Sequence, residues 1–145
     1  MKKIKFLLIS FMISFWSFNL NAADWTMASG YPKSNFHTQN IMKFIDEVKA
    51  NTSVNINLNP NDTLIKLDAI KTSLQRGQIP IGEIRFGIYG NEDPMYILAG
   101  LPFIAPDYAS AWLLKEVKHE YLQNLFNKKG LRILYTSPWP GQGLY

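Results

Sequence analysis

From Asp24 onward, one pattern constrains the chain more than any other: stretches of helical periodicity alternate with stretches of strand character. Asp24 to Ser29 is a short strand candidate. Ile41, Phe44, Ile45 and Val48 then recur at the spacing of one helix face, and Ser34 or Asn35 can cap that segment. Val54-Asn55-Ile56-Asn57-Leu58 alternates strictly, as a strand with one wet face does, and Pro60 and Asn61 end it. Asp62 or Thr63 can cap a second helix with Leu64, Leu67, Ile70 and Leu74 on one side, stopped by Gly77. Ile79 to Ile88 is rich in β-branched residues and reads as a third strand. Met95 to Ala105 is apolar, but Gly100, Pro102 and Pro106 break any long element. Asp107 can cap a third helix reaching about Asn127, with Ala111, Leu114, Val117, Tyr121, Leu122 and Leu125 as its apolar face. Leu131 to Thr136 reads as a fourth strand, and Pro138-Trp139-Pro140-Gly141 turns the chain. This order predicts an α/β fold with a largely parallel sheet, its helices laid on the sheet faces by right-handed crossovers.

The residues before this pattern have the layout of a secretory signal peptide. Lys2, Lys3 and Lys5 form a basic start, Phe6 to Phe18 is uncharged and mostly apolar, and Leu20-Asn21-Ala22 offers a cleavage site after Ala22. The apolar run is shorter than the ~20 residues that a membrane span needs. Residues 1–22 are therefore expected to be removed on export, leaving 23–145 in the periplasm. The formal net charge of +4 is concentrated in this leader, and its removal leaves about +1. The remaining Lys and Arg are scattered among acids, so no nucleic-acid partner is expected, since phosphate binding needs a clustered basic face. There is no cysteine, which excludes disulfides, thiolate nucleophiles and Cys-based zinc sites.

Enzyme signatures are absent. His119-Glu120 opens like the helical zinc-protease motif, but Gln123 stands where its second histidine is required. No nucleophile elbow, Walker loop or dinucleotide fingerprint occurs, and neither a metal nor a cofactor is expected. Ligand recognition is better supported, because open α/β sheets bind ligands beyond the C-terminal ends of their strands. Ser29, Tyr31 and His37 follow the first strand, and Trp139 and Gln142 follow the fourth. Glu83 lies in the third strand, with Arg85 two residues on and so on the same face. Each also has a structural role open to it: Tyr31 and Trp139 as packing, His37 as a helix brace, Arg85 on an outer face. Their common placement after strands favours one shared pocket.

Several runs then match a known family in order and spacing: Tyr31-Pro32, Asn35-Phe36-His37-Thr38-Gln39-Asn40, Gly77-Gln78, Ile81-Gly82-Glu83, Asn91-Glu92-Asp93-Pro94, Leu101-Pro102-Phe103 with Tyr108, and Pro138 to Tyr145. Over nearly all of the mature chain the sequence resembles the DctP-type solute-binding proteins of tripartite ATP-independent periplasmic (TRAP) transporters. The resemblance implies a binding protein rather than an enzyme: a receptor that captures a small organic acid and delivers it to membrane permease subunits. It implies the N-terminal lobe of a two-lobed, type II-like periplasmic binding protein, the lobes closing on the ligand about a hinge. It carries ligand contacts onto Tyr31, His37, Glu83, Trp139 and Gln142, with Ser29 more loosely placed. Glu83 suits a hydroxyl or ammonium group, Trp139 offers an apolar wall, and His37 and Gln142 offer hydrogen bonds.

The family's carboxylate-gripping arginine follows the tryptophan-glutamine run, and neither Arg85 nor Arg132 matches its position. Residues 23–145 are thus expected to be an incomplete first lobe, truncated near the crossover to the second. Such a lobe should bind weakly by itself and leave a sheet edge unpaired. The alternative from another class is a periplasmic sensor or scaffold module that meets a membrane protein.

Overall fold

The computed structural model describes residues 23–140, so the leader and Gln142 lie outside the described residues. The elements run β1 (Ala23–Ala28), α1 (Phe36–Asn51), β2 (Val54–Asn59), α2 (Ile70–Gln75), β3 (Ile81–Gly82) and α3 (Tyr108–Asn127). Single-turn 3-10 helices at Phe86–Tyr89, Pro94–Tyr96 and Leu98–Gly100 fill the link from β3 to α3. The strands form a parallel sheet in the order β2-β1-β3. Ala23 to Ala28 pair with Val54 to Asn59 in unbroken register, while β3 meets β1 only at Met27–Ile81 and Ala28–Gly82. This is the α/β architecture of one lobe.

Successive residues of β1 face opposite sides of the sheet. Met27 joins Ile41, Ile56 and Ile81 in one core, with Phe44, Ile45 and Val48 of α1 packed on it. Ala28 joins Ile70 and Ile79 in a second core on the other side, covered by Leu67 and Leu74. Opposite faces are what one-handed crossovers require here, because the chain steps from β1 outward to β2 and then back past β1 to β3. Gly82 allows the close approach of α2, since a Cβ there would stand 2.7 Å from Ile70 Cγ2. A further aromatic core forms from Tyr89, Tyr96, Leu122 and Phe126, and it holds α3 against the 3-10 segment. Burying each such side chain contributes about 1.5–3 kcal/mol.

Helix ends follow their capping chemistry. Asn35 accepts from the His37 N–H at 2.8 Å, and Asp107 from the Ser110 N–H at 2.7 Å. Gly77 adopts φ +68° just beyond α2, where the Gln78 N–H reaches the Ser73 carbonyl at 3.0 Å.

Four expectations are corrected. The second helix starts at Ile70, not at Asp62 or Thr63: Asn61 and Asp62 have φ of 59° and 58°, and the Asp62 carboxylate accepts from the Leu67 N–H at 2.9 Å. That bond folds 62–67 into a turn and leaves Leu64 exposed. The third strand is cut to Ile81–Gly82, because Phe86–Tyr89 coils so that Phe86 and Tyr89 can reach Tyr96 and Phe126. The fourth strand does not form: Leu131 and Ile133 pack on the aromatic core, and β3 is too short to offer them a ladder. On α3 the buried face is Lys118, Leu122 and Phe126, while Val117 and Tyr121 point outward.

Candidate functional site

Strand order decides where a ligand can sit. The chain leaves β1 toward α1 on one face, and leaves β3 with Ile84 packed toward the α2 side. The gap between the ends of β1 and β3 is therefore a topological switch point, where open α/β sheets place ligands. Ser29 and Tyr31 leave one side of this gap and Glu83 the other.

Backbone bonds extend both strands into the site. The Ser29 N–H donates to the Asn59 carbonyl at 3.0 Å, and the Glu83 N–H to the Ala28 carbonyl at 2.9 Å. Glu83, expected within the strand, is thus one residue past it. The Ser29 side chain is fully buried; its hydroxyl donates to Glu83 Oε2 and accepts from the Tyr31 N–H at 3.3 Å. Burial pushes the Glu83 carboxyl above its ordinary value, and the Ser29 hydrogen bond opposes that rise. The Tyr31 carbonyl accepts from the Thr38 hydroxyl at 3.2 Å and the Asn61 N–H at 2.9 Å. These bonds tie the β1 exit to α1 and to the turn after β2.

An aromatic cluster stands beside this pair. Trp139 lies edge-on to Tyr31, Phe36 and His37, with ring centroids at 5.3, 5.4 and 4.4 Å. His37 and Phe36 are 4.1 Å apart. His37 is 6% exposed, and its Nε2 and the Tyr31 hydroxyl are buried without a hydrogen-bond partner among the described residues. Buried polar atoms are satisfied in the great majority of cases, so His37 Nε2 has hydrogen-bonding capacity left for another group; the Tyr31 hydroxyl has the Arg85 guanidinium near it, and Tyr96 Oη in the aromatic core is likewise unpartnered among the described residues. Burial lowers the His37 pKa, favouring the neutral ring that can both donate and accept. Burial also raises the Tyr31 pKa; Arg85 opposes the rise and Glu83 adds to it, so both charges reach that hydroxyl.

The structure brings together Ser29, Tyr31, His37, Glu83 and Trp139. Three further residues belong with them. Phe36 shares the Trp139 contact, and Arg85 faces Tyr31. The Tyr135 hydroxyl feels the charge of Glu83, while its ring lies 5.3 Å from Phe44. Among the described residues no group of three or more metal-ligating side chains converges, and no helix is long and apolar enough to cross a membrane. A shallow concavity lined by Asp62, Lys66, Leu67, Asp68 and Ile88 shares none of the site residues.

No protein-family model matches the sequence, and no curated protein matches it. Solved structures do. The Bordetella pertussis extracytoplasmic solute receptor DctP7, which binds pyroglutamic acid, is 36% identical with a TM-score of 0.78, covering 82% of this chain and 40% of its own. DctP6 of the same organism, also a pyroglutamic acid receptor, is 34% identical with a TM-score of 0.79, covering 81% of this chain and 40% of its own. A marine metagenome TRAP solute-binding protein specific for pyroglutamate is 33% identical with a TM-score of 0.80, covering 84% and 41%. The chain thus spans about two-fifths of the length of these relatives.

Proposed function

Because the chain belongs, over the two-fifths of their length that it spans, to the DctP-type solute receptors of TRAP transporters, we propose that it serves as the ligand-capturing first lobe of an extracytoplasmic receptor for a small organic acid. Pyroglutamate is the first candidate ligand, since it is what these three relatives bind. The partners in this reading are the permease subunits of a TRAP transporter, and the compartment is the periplasm, reached by a signal peptide at 1–22. Residues 23–145 form part of one lobe, and the protein acts by binding rather than by catalysis.

The observation that supports the reading is the cluster at the switch point: the unpartnered His37 Nε2 and the Tyr31 ring against Trp139, with Glu83 held by Ser29 across the gap. An aromatic wall, neutral hydrogen-bonding groups and one acid suit a small, partly apolar molecule with polar edges. The resemblance leaves the ligand's carboxylate to an arginine of the opposite lobe, so residues 23–145 hold only one side of the ligand. A micromolar site needs about 8 kcal/mol, and good pockets bury roughly 70–90% of their ligand. Binding by this chain alone is therefore expected at millimolar strength or weaker.

The test is a graft. Residues 23–140 replace the matching segment of DctP7, whose own remaining length completes the receptor, and calorimetry follows titration with a panel of organic acids. Binding of pyroglutamate or another organic acid supports the reading. A folded graft that binds none of them would sink it.

A further inference from the structure

Three rings enclose the His37 imidazole. Centroid to centroid, Phe36 lies 4.1 Å away, Trp139 4.4 Å and Tyr31 6.1 Å. The enclosure buries Nε2, although that nitrogen has no hydrogen-bond partner among the described residues. A nitrogen that is to bond a ligand must be reached, so one of the rings has to give way. Two of them sit on anchored backbone. Phe36 opens α1, in the turn that the Asn35 cap fixes. Tyr31 is held at its carbonyl by the Thr38 hydroxyl at 3.2 Å and the Asn61 N–H at 2.9 Å. Trp139 has no such anchor. The backbone bond nearest to it in its own segment runs from the Leu131 N–H to the Phe126 carbonyl at 3.0 Å, and among the described residues 132–140 make no backbone–backbone hydrogen bond.

The sequence around Trp139 explains that freedom. Pro138 and Pro140 flank it and carry no N–H, so no ladder can be tied on either side, and Pro140 disfavours helical backbone at Trp139 itself. Side-chain contacts hold the segment instead: Leu131 and Ile133 on the aromatic core, then the Tyr135 ring 5.3 Å from Phe44, and at the far end Trp139. The Trp139 ring is still 40% exposed, so its hold on the site is partial. We infer that Trp139 is a movable cover over His37: its ring and the ligand compete for the same imidazole, and capture exchanges one for the other. This role rests on the receptor reading and adds a step to it. The resemblance counts Trp139 among the ligand contacts; the geometry makes that contact competitive, with the indole keeping the ligand's place. The group that replaces it must offer an apolar face, as the indole does, together with a hydrogen bond to Nε2, which none of the described residues supplies.

The cover is tested first without a ligand. Diethyl pyrocarbonate acylates neutral imidazole, and the exposed His119 on α3 serves as an internal control. Burial favours the neutral form of His37, so slow reaction near pH 7 reads cover rather than charge. In the full chain His37 should react at least about 10-fold more slowly than His119, as resolved by peptide mass spectrometry. Trp139→Ala should raise the His37 rate about 10-fold and leave His119 unchanged. Equal rates for the two histidines in the parent, or an unchanged His37 rate in the variant, overturn the cover. The second arm is calorimetry on the graft with pyroglutamate, or with whichever organic acid of the panel it binds best. A ring that competes with the ligand weakens binding, so Trp139→Ala should tighten it about 3- to 10-fold, and saturating ligand should return His37 to slow acylation. A fixed wall or a purely structural role gives the opposite sign: weaker binding in the variant overturns the exchange. A parent graft that binds no acid of the panel overturns the receptor reading instead, and the acylation rates tell the two failures apart because they need no ligand.

Discussion

The buried hydroxyl of Ser29 donates to the carboxylate of Glu83 across the gap between the ends of β1 and β3. Only two residue pairs hold β3 to β1, so this bond is a third tie at the point where the sheet is thinnest. It also fixes one oxygen of the acid; among the described residues the other oxygen takes no hydrogen bond. One serine thus serves both sheet closure and site geometry.

Removing it should separate those effects. Ser29→Ala deletes the interaction that opposes the burial-driven rise of the Glu83 pKa, so that pKa should climb further. Because the folded value already exceeds the ordinary one, the folded state holds its proton longer than the unfolded chain. Stability therefore falls as pH rises from about 4.5 through the folded pKa. The variant should show a steeper fall in that window and a loss of about 1–2 kcal/mol near neutrality. Carboxyl-carbon NMR titration and denaturant melts at several pH values measure both. An unchanged Glu83 titration would contradict the bond.

His37 carries the opposite sign. Burial lowers its pKa, so the folded state prefers the neutral ring while the unfolded chain titrates near 6.5. Between the lowered folded value and 6.5 the unfolded chain binds more protons, and stability should rise with pH through that window. Below it the chain must accept a charge next to Trp139 and Phe36 or unfold. His37→Gln should flatten this part of the stability profile. Equal slopes in the two proteins just below pH 6.5 would argue against a buried neutral ring.

Lys71 and Glu92 should respond unequally to loss of their partner. Lys71 is 2% exposed, pairs with Glu92, and holds its ammonium 3.9 Å from the Tyr89 ring centroid. Glu92 is far more exposed and keeps Lys129 as a second partner. Glu92→Gln strands a buried cation and should cost about 2–4 kcal/mol. Lys71→Met leaves a half-exposed acid that is still paired and fills the slot beside Tyr89, so it should cost under about 1.5 kcal/mol. Urea denaturation of both variants tests the order, and the reverse order would refute it.

What the sequence disclosed follows from the range of the forces involved. α1 and β2 were legible because Ile41, Phe44, Ile45 and Val48, and the alternation from Val54, are local periodicities that packing reinforces. The cap at Asp107 was legible for the same reason. Ile79 to Ile88 failed as a long strand because the draw on Phe86 and Tyr89 comes from Tyr96 and Phe126, distant in the chain. Asp62 failed as a cap because its carboxylate turned to the Leu67 N–H. Ser29 and Tyr31 were expected together from their place after the first strand and Glu83 from its place in the third, and the structure brings these residues to one gap. Tyr135 was missed because its approach to Glu83 depends on how an unpaired segment crosses Phe44.

The outward side of α3 supplies the last expectation. Tyr108, Trp112, Leu113, Val117 and Tyr121 are each about half exposed or more, and steps of four join Tyr108 to Trp112 and Leu113 to Val117 to Tyr121. Phe103, just before the helix, is 93% exposed at φ +65°, a backbone region that a phenylalanine adopts only under strain. Large contiguous apolar patches on a monomer mark contact surfaces or aggregation sites. The chain on its own should therefore associate as its concentration rises from micromolar to millimolar. Leu113→Glu with Val117→Lys should suppress association while leaving the fold intact, because neither side chain enters the Leu122–Phe126 core. Sedimentation velocity across that range reads the outcome: identical concentration dependence in the variant and the parent would show that this face is not the sticky one, and would move suspicion to the short β3 edge.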